Sequence, residues 1–120
     1  ESGQRHELLM LALRRDDLGE AEREGRVALE MEQAQENRLW ALYTLAGLAQ
    51  VALARDDLER AGLLWGAAER EAESLPRWAD ERERRGGPLV EESREPFSAA
   101  RERGRALDLW DAVAIALGAG

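Results

Sequence analysis

With 120 residues and a net charge of −8 at neutral pH, the chain fits one domain and lacks the clustered basic surface that nucleic-acid binding needs. Ala, Leu, Arg and Glu dominate, while β-branched and aromatic residues are scarce, which predicts an all-α fold. The lack of cysteine excludes disulfides, and the longest apolar runs are far too short to span a bilayer.

The first predicted unit, residues 4–36, shares a phrase with the second, residues 37–75. The stretch LALRRDDLGEA at 11–21 returns forty residues later as VALARDDLERA at 51–61. Repeats of this length are typical of stacked helical units, so each unit is predicted to be a helix, a tight turn and a second helix. The residues that recur at the same spacing are Ala12, Leu13, Arg15, Asp16, Asp17, Leu18, Ala21 and Ala28.

Two adjacent aspartates mark the turn of each unit. Asp17 and Asp57 are placed to accept hydrogen bonds from the free N–H groups of the next helix, with Asp16 and Asp56 in the turn itself. Glu20 follows Asp17 by three residues, the spacing of a capping box. The alternative is a metal bound by the aspartate pairs. We expect no metal and no other cofactor, because no further oxygen ligands lie at useful spacing.

Apolar stripes at helical spacing run along both predicted helices of the second unit. Small residues in the stripes allow the helix axes to approach closely, and Trp65 is predicted to fill the wider gap between units. The first stripe contains Leu42, Leu45, Ala46, Ala49 and Leu53, and the second contains Leu58, Ala61, Trp65, Ala68, Ala72 and Leu75.

Residues 76–118 are predicted to form a degenerate C-terminal capping unit. Pro76 favours a helix start, and the GGP at 86–88 should break or kink a helix. The basic run of Arg82, Arg84 and Arg85 alternates with acids, which predicts a solvated helix face with internal ion pairs.

A last helix is predicted from its cap at Asp108 to the glycines Gly118 and Gly120. Its apolar stripe is Leu109, Trp110, Val113, Ala114 and Leu117.

Small residues in both helices and Asp at the turn, on Ala52, Asp57, Ala61 and Ala68, resemble the tetratricopeptide pattern. The period of forty is longer than the 34 residues usual for that repeat. The resemblance implies an α-α superhelix of antiparallel helix hairpins, in which the first helix of each unit lines a concave groove.

The second half is similar to the C-terminal region of LuxR-type transcriptional regulators and of adenylate-cyclase-like signal-transduction ATPases of bacteria. That region often ends in E-G-R-x-L-S-L-E-E-A-V-x-x-A-L. Asp108 stands where Ser is common in that phrase, and Trp110 stands where Glu is common. The matching residues are Gly104, Arg105, Ala106, Leu107, Leu109, Ala112, Val113, Ala116 and Leu117.

This likeness covers roughly residues 40–118 and carries no catalytic motif. It implies a piece of a longer bacterial regulator, with ATPase and output domains upstream that the helical repeats restrain or release. A chain that does not begin with Met fits the same interpretation. We expect a cytoplasmic protein without a membrane partner.

No catalytic constellation is visible in the sequence, so we predict a protein that is not an enzyme. His6 is the only histidine, and no Walker loop or G-x-S-x-G is present. The predicted function is protein interaction or signal sensing, through a change in inter-helix packing on binding. The partner is then a protein or the upstream domains of the same chain.

Candidate binding residues follow from the predicted groove. The groove candidates are His6, Met10, Tyr43, Gly47 and Gln50, and the possible interface residues are Trp40, Trp78 and Trp110. Packing within the core is the alternative for Met10, Tyr43 and the tryptophans. Two other functions remain open: a structural cap or self-association module, for which the isolated fragment would form a homodimer, and a small-molecule receptor with a Trp-lined pocket.

Overall fold

The computed structural model describes residues 2–118, and this part of the chain contains seven α-helices and no strand. The predicted all-α fold is therefore confirmed. A short 3-10 helix, Gly87–Glu91, follows the fifth α-helix. The α-helices are α1 Ser2–Arg14, α2 Leu18–Ala34, α3 Arg38–Ala54, α4 Leu58–Ala72, α5 Trp78–Gly86, α6 Phe97–Arg105 and α7 Leu109–Leu117.

Neighbouring helices among α1–α4 are joined by turns in which one residue serves two helices. At the first turn Asp16 takes a left-handed conformation with φ 61°, and the Asp17 N–H donates to the Ala12 carbonyl over 2.9 Å. The Asp17 side chain then accepts from the Glu20 N–H at 3.2 Å. The backbone of Asp17 thus closes α1 in a Schellman motif while its side chain opens α2.

The same geometry recurs at the third turn, where the Asp57 N–H donates to the Ala52 carbonyl and its side chain accepts from the Arg60 N–H. The caps predicted at Asp17 and Asp57 are confirmed. The capping box predicted through Glu20 does not form. The Asp17 N–H is already bonded to Ala12, and the Glu20 carboxylate accepts from Arg23 instead.

The second turn of the chain, between α2 and α3, has the same geometry but was not indicated by the sequence repeat. Glu36 has φ 53°, and the Asn37 side chain accepts from the Trp40 N–H at 3.2 Å. The Asn37 N–H donates to the Glu32 carbonyl over 2.9 Å. The turns therefore recur every twenty residues, half the period that the sequence shows.

Helix α3 is the central element, because it contacts α1, α2 and α4, the α5–3-10 segment and α7. The sequence predicted one apolar stripe on this helix. The structure instead buries it on several sides, which explains why charged residues are missing from most of its length. Its buried residues are Ala41, Leu42, Thr44, Leu45, Ala46, Gly47, Leu48, Ala49, Val51 and Ala52.

Helices α4 and α6 approach until their backbones touch. A Cβ added at Gly62 would lie 2.4 Å from the Phe97 carbonyl oxygen, and one at Gly66 would lie 2.2 Å from the Arg101 oxygen. A Cβ added at Gly104 would likewise lie 2.2 Å from the Leu63 carbonyl oxygen of α4. Three glycines therefore determine how closely these helices pack.

Glu69 is a buried carboxylate of α4 that holds three arginines. Arg82 of α5 donates to it over 2.8 Å and 2.9 Å, and Arg101 and Arg105 of α6 reach its other oxygen. Trp65, one turn earlier, is fully buried beside Trp78 of α5. One face of α4 thus binds both α5 and α6.

Helix α7 folds back across α2, α3 and α4. Its predicted cap is confirmed, since the Asp108 side chain accepts from the Trp110 N–H, and Gly118 follows its last residue. Gly120 lies outside the described residues. Arg26 and Arg60 donate to carbonyls of its last turn, so two arginines from other helices satisfy the C-terminal end.

This folding back gives nearly equal dimensions of 34 × 31 × 30 Å, rather than an extended array. None of the helices in residues 2–118 combines the length and the hydropathy required to cross a bilayer.

Candidate binding groove

Three of the five predicted groove residues lie together between α1 and α3, around one arginine of α5. We use the name groove for this surface, which is formed by His6, Tyr43 and Gln50. The guanidinium of Arg85 lies 3.9 Å from the centre of the Tyr43 ring. One of its nitrogens, Nη1, lies 3.2 Å from His6 Nε2. The Gln50 amide donates to the Arg85 carbonyl at 2.8 Å. The groove is therefore occupied by the chain itself.

His6 is buried, and its neighbours determine which of its nitrogens carries the proton. Arginine can only donate, so His6 Nε2 must accept from Arg85 and Nδ1 must carry the hydrogen. Nδ1–H then donates to Thr44 Oγ1 at 3.3 Å, and the Thr44 hydroxyl donates to Glu32 Oε2 at 3.1 Å. The relay links α5, α1, α3 and α2 in that order, and each residue donates its hydrogen bond to the next.

The acid and the base of this relay have inverted pKa values. Burial, helped by the charge of Arg85, lowers the pKa of His6 to about 4. Burial raises the pKa of Glu32 to about 7, although hydrogen bonds from Thr44 and Ser2 oppose this effect. Near pH 6 the proton that an exposed histidine would hold therefore lies on the carboxyl group, and neither residue is charged.

One atom of the relay has no hydrogen-bond partner. Glu32 Oε1 is buried and unpaired within the described chain. A neutral carboxyl leaves a smaller electrostatic penalty at such a position than a carboxylate does, which agrees with the raised pKa of Glu32.

Aromatic rings cover the open side of this relay. Trp40 packs edge-on against His6, with ring centres 5.3 Å apart, and also against Tyr43 at 5.8 Å. Trp40 and Tyr43 are both partly exposed. The predicted interface residue Trp40 thus extends the groove.

The other predicted positions lie outside the groove. Gly47 faces α1, where an added Cβ would come 2.6 Å from a methyl carbon of Leu9, and Met10 packs against the cluster that contains Leu9. Trp78 is buried in the core beside Trp65, and Trp110 is partly buried with Arg38 over its ring. Their binding roles remain predictions.

Arg85 and its neighbours are the residues that the sequence interpretation missed. The run of Arg82, Arg84 and Arg85 was predicted to be a solvated face, but only Arg84 points fully outward, with its charge close to Glu81. Arg82 reaches Glu69, and the Arg85 side chain is only 17% exposed. Helical spacing separates Arg84 from the other two, but nothing in the sequence indicates what those two contact.

A second opening lies among α2, α3, α4 and the end of α7. This cleft of about 570 Å³ has an apolar floor of Leu48, Val51 and Ala52. Arg26 and Arg60 line it beside the carbonyl of Ala116 that both contact. No tryptophan lines this cleft within the described chain, unlike the Trp-lined pocket that the sequence left open.

Within residues 2–118 no three His, Asp or Glu side chains are grouped closely enough to hold a metal ion. No family model matches the chain, and neither a curated protein nor a solved structure matches it.

Proposed function

We propose that the chain is a non-catalytic, tetratricopeptide-like module that binds a protein segment in the groove. The observation that carries this proposal is the convergence of His6, Tyr43 and Gln50 on the side chain and carbonyl of Arg85. His6 on α1 and the pair Tyr43 and Gln50 on α3 belong to the predicted first helices of two units, and all three contact Arg85. The equivalent turns at Asp16, Glu36 and Asp56 support the tetratricopeptide-like arrangement of α1–α4.

A binding role suits the chemistry of the groove better than acid–base catalysis does. His6 Nε2 accepts from Arg85, and Nδ1–H is bonded to Thr44, so both ring nitrogens are engaged. Glu32 is fully buried behind Thr44. Neither group faces open space in which a substrate could be placed within hydrogen-bond reach.

The test uses the protein as bait in a lysate of the cells that make it. Tyr43→Leu removes the ring face of the groove, and Leu39→Ser is the matched control on the same helix, since Leu39 is 43% exposed. A protein retained by the wild type and by Leu39→Ser, but lost with Tyr43→Leu, supports the proposal. Equal retention by all three baits contradicts a groove-dependent partner.

The proposed setting is a larger bacterial regulator, in which binding in the groove changes helix packing and acts on upstream domains. It rests on the resemblance of residues 40–118 to the ends of LuxR-type regulators. The reading frame upstream of Glu1 tests it directly. A P-loop followed by this helical region supports the setting, and an open reading frame that begins near Glu1 overturns it.

Self-association is a second candidate, favoured by the outer side of α1. Leu8 and Leu11 are 42% and 37% exposed there, a surface that a second copy could cover. Sedimentation of the wild type over a hundredfold concentration range, beside the double variant Leu8→Ser and Leu11→Ser, tests this candidate. A dimer that the double variant loses supports it, and a wild-type monomer at every concentration excludes it.

A further inference from the structure

The groove has the features of a site built for a guanidinium group. It offers the face of Tyr43 to a planar cation and a ring nitrogen of His6 to one N–H of that cation. His6 is only 2% exposed, so its acceptor atom is held in a fixed position. We infer that this position is a subsite for an arginine of a protein partner, and that Arg85 fills it when no partner is bound. The inference rests on the proposed function.

The buried relay explains why the site can accept a cation. A protonated histidine would repel a guanidinium, whereas a neutral one with hydrogen on Nδ1 presents a lone pair at Nε2. Thr44 and Glu32 hold His6 in that tautomer from behind. The Glu32–Thr44 pair therefore acts as a positioning device for the acceptor, without touching the guanidinium.

The contacts also separate arginine from lysine. A guanidinium can place its carbon over the Tyr43 ring and donate an N–H to His6 Nε2 at the same time, as Arg85 does. An ammonium group is compact and strongly hydrated and has no planar face to place on the ring, so it gains less from the same two contacts. The site therefore prefers arginine to lysine through the Tyr43 ring and His6 Nε2. No carboxylate of α1 or α3 is among these contacts.

Arg85 can leave the subsite without displacement of the whole of α5. The backbone around Arg85 is anchored on both sides, by Trp78 before it and by the buried Leu89 after it, and the Gln50 amide holds its carbonyl. Departure of Arg85 therefore requires only that its side chain rotate away. The carboxylate that pairs with Arg85 is that of Glu81, which belongs to α5 itself; the distance from Arg85 Nε to Glu81 Oε1 is 3.4 Å. The chain charge of −8 favours approach of a basic partner segment.

The experiment measures binding of two short peptides, acetyl-Gly-Arg-Gly-amide and its lysine counterpart, to the full chain by NMR titration of the His6 and Tyr43 ring signals. Arg85→Ala vacates the subsite, and Arg85→Gln is a second background that keeps more of the side-chain packing. We expect a millimolar Kd for the arginine peptide in either variant, and binding at least fivefold weaker for the lysine peptide. The wild type should bind at least tenfold more weakly, because Arg85 competes at high effective concentration.

The control adds Tyr43→Leu to the vacated background and should abolish the preference for arginine. Equal shifts with both peptides, or none at saturating peptide, in a folded Arg85→Gln variant would overturn the subsite. If the lysate test still shows a groove-dependent partner, the proposed function stands without it. Arginine binding without any groove-dependent partner refutes the proposed function instead.

Discussion

Helices α2, α3 and α4 each begin at a residue whose own side chain caps them, whereas Arg77 and Pro96, which precede α5 and α6, make no such bond. The first region, α1–α4, is defined by hydrogen bonds in its turns between residues at most five apart. The second region, α5 and α6, is held by contacts with α4, through Glu69, Trp65 and the glycines. Local bonds persist in a partly unfolded chain, but contacts between distant helices depend on the whole fold.

This difference also places the candidate site. The groove wall on α1 and α3 belongs to the locally defined region, and its occupant Arg85 belongs to the region held by tertiary contacts. The wall of the groove thus lies on helices that local hydrogen bonds close, and the segment that covers it is held by contacts with distant residues. Changes in the second region should therefore alter the groove without unfolding α1–α4.

The largest effect is expected at Glu69. Replacement by Ala leaves Arg82, Arg101 and Arg105 close together without their shared carboxylate. Because the arginines are about one-third exposed or less, we expect a loss of about 2–3 kcal/mol in the free energy of unfolding, measured by urea denaturation. Glu59→Ala is the control, since its pair with Arg103 is exposed and should change stability by less than about 0.5 kcal/mol. Equal losses in both variants would contradict the role of Glu69.

A somewhat smaller loss is expected where α4 touches α6. Gly66→Ala places a methyl group 2.2 Å from a backbone oxygen, so the helices must separate. We expect a loss of about 2 kcal/mol by urea denaturation. Gly19→Ala in α2 should instead stabilise the protein by about 0.5 kcal/mol, because the nearest atom to its added Cβ lies 3.7 Å away. A stable Gly66→Ala variant would show that the close approach of α4 and α6 is not required.

The junction between the two regions is tested by pH. Between about pH 4.5 and 7 the unfolded chain ionises Glu32 while the folded chain keeps it protonated, so Glu32 lowers stability as the pH rises. Between about pH 6.5 and 4 the unfolded chain protonates His6 while the folded chain does not, so His6 lowers stability as the pH falls. The two slopes oppose each other and nearly cancel from about pH 4.5 to 6.5.

Single variants should reveal each slope. In Glu32→Gln only the His6 contribution to the pH dependence remains. The free energy of unfolding of this variant relative to wild type should therefore rise by about 1 kcal/mol per pH unit from pH 4.5 to 6.5. His6→Gln should show the opposite trend over the same range. Urea denaturation at half-unit pH intervals measures both difference curves. Parallel curves for wild type and both variants would disprove the inverted proton affinities of the pair.

The sequence was informative wherever a feature depended on nearby residues. The caps at Asp17, Asp57 and Asp108, and the all-α class, followed from local chemistry. The α2–α3 turn was missed because Glu36 and Asn37 perform the same backbone task with different side chains.

The occupant of the groove could not be predicted for a different reason. Arg85 meets His6 across 79 residues of chain, and no spacing rule relates them. Burial of Glu32 likewise depends on how the helices pack, whereas its sequence context is that of a surface residue.

The smallest effects are expected at the turn that the sequence predicted best. Asp56 has φ 62°, a conformation that costs about 1 kcal/mol for most residues but not for glycine, so Asp56→Gly should stabilise the protein by about 0.5 kcal/mol. Asp57→Ala removes the cap of α4 and should cost about 1 kcal/mol. Neighbouring residues with identical side chains should thus respond with opposite sign, as shifts of a few degrees in Tm. The same pair of changes at Asp16 and Asp17 should reproduce both signs, because the backbone geometry of the two turns is equivalent. Loss of stability in both Asp56→Gly and Asp16→Gly would mean that the aspartate side chains, and not the left-handed backbone, determine these turns.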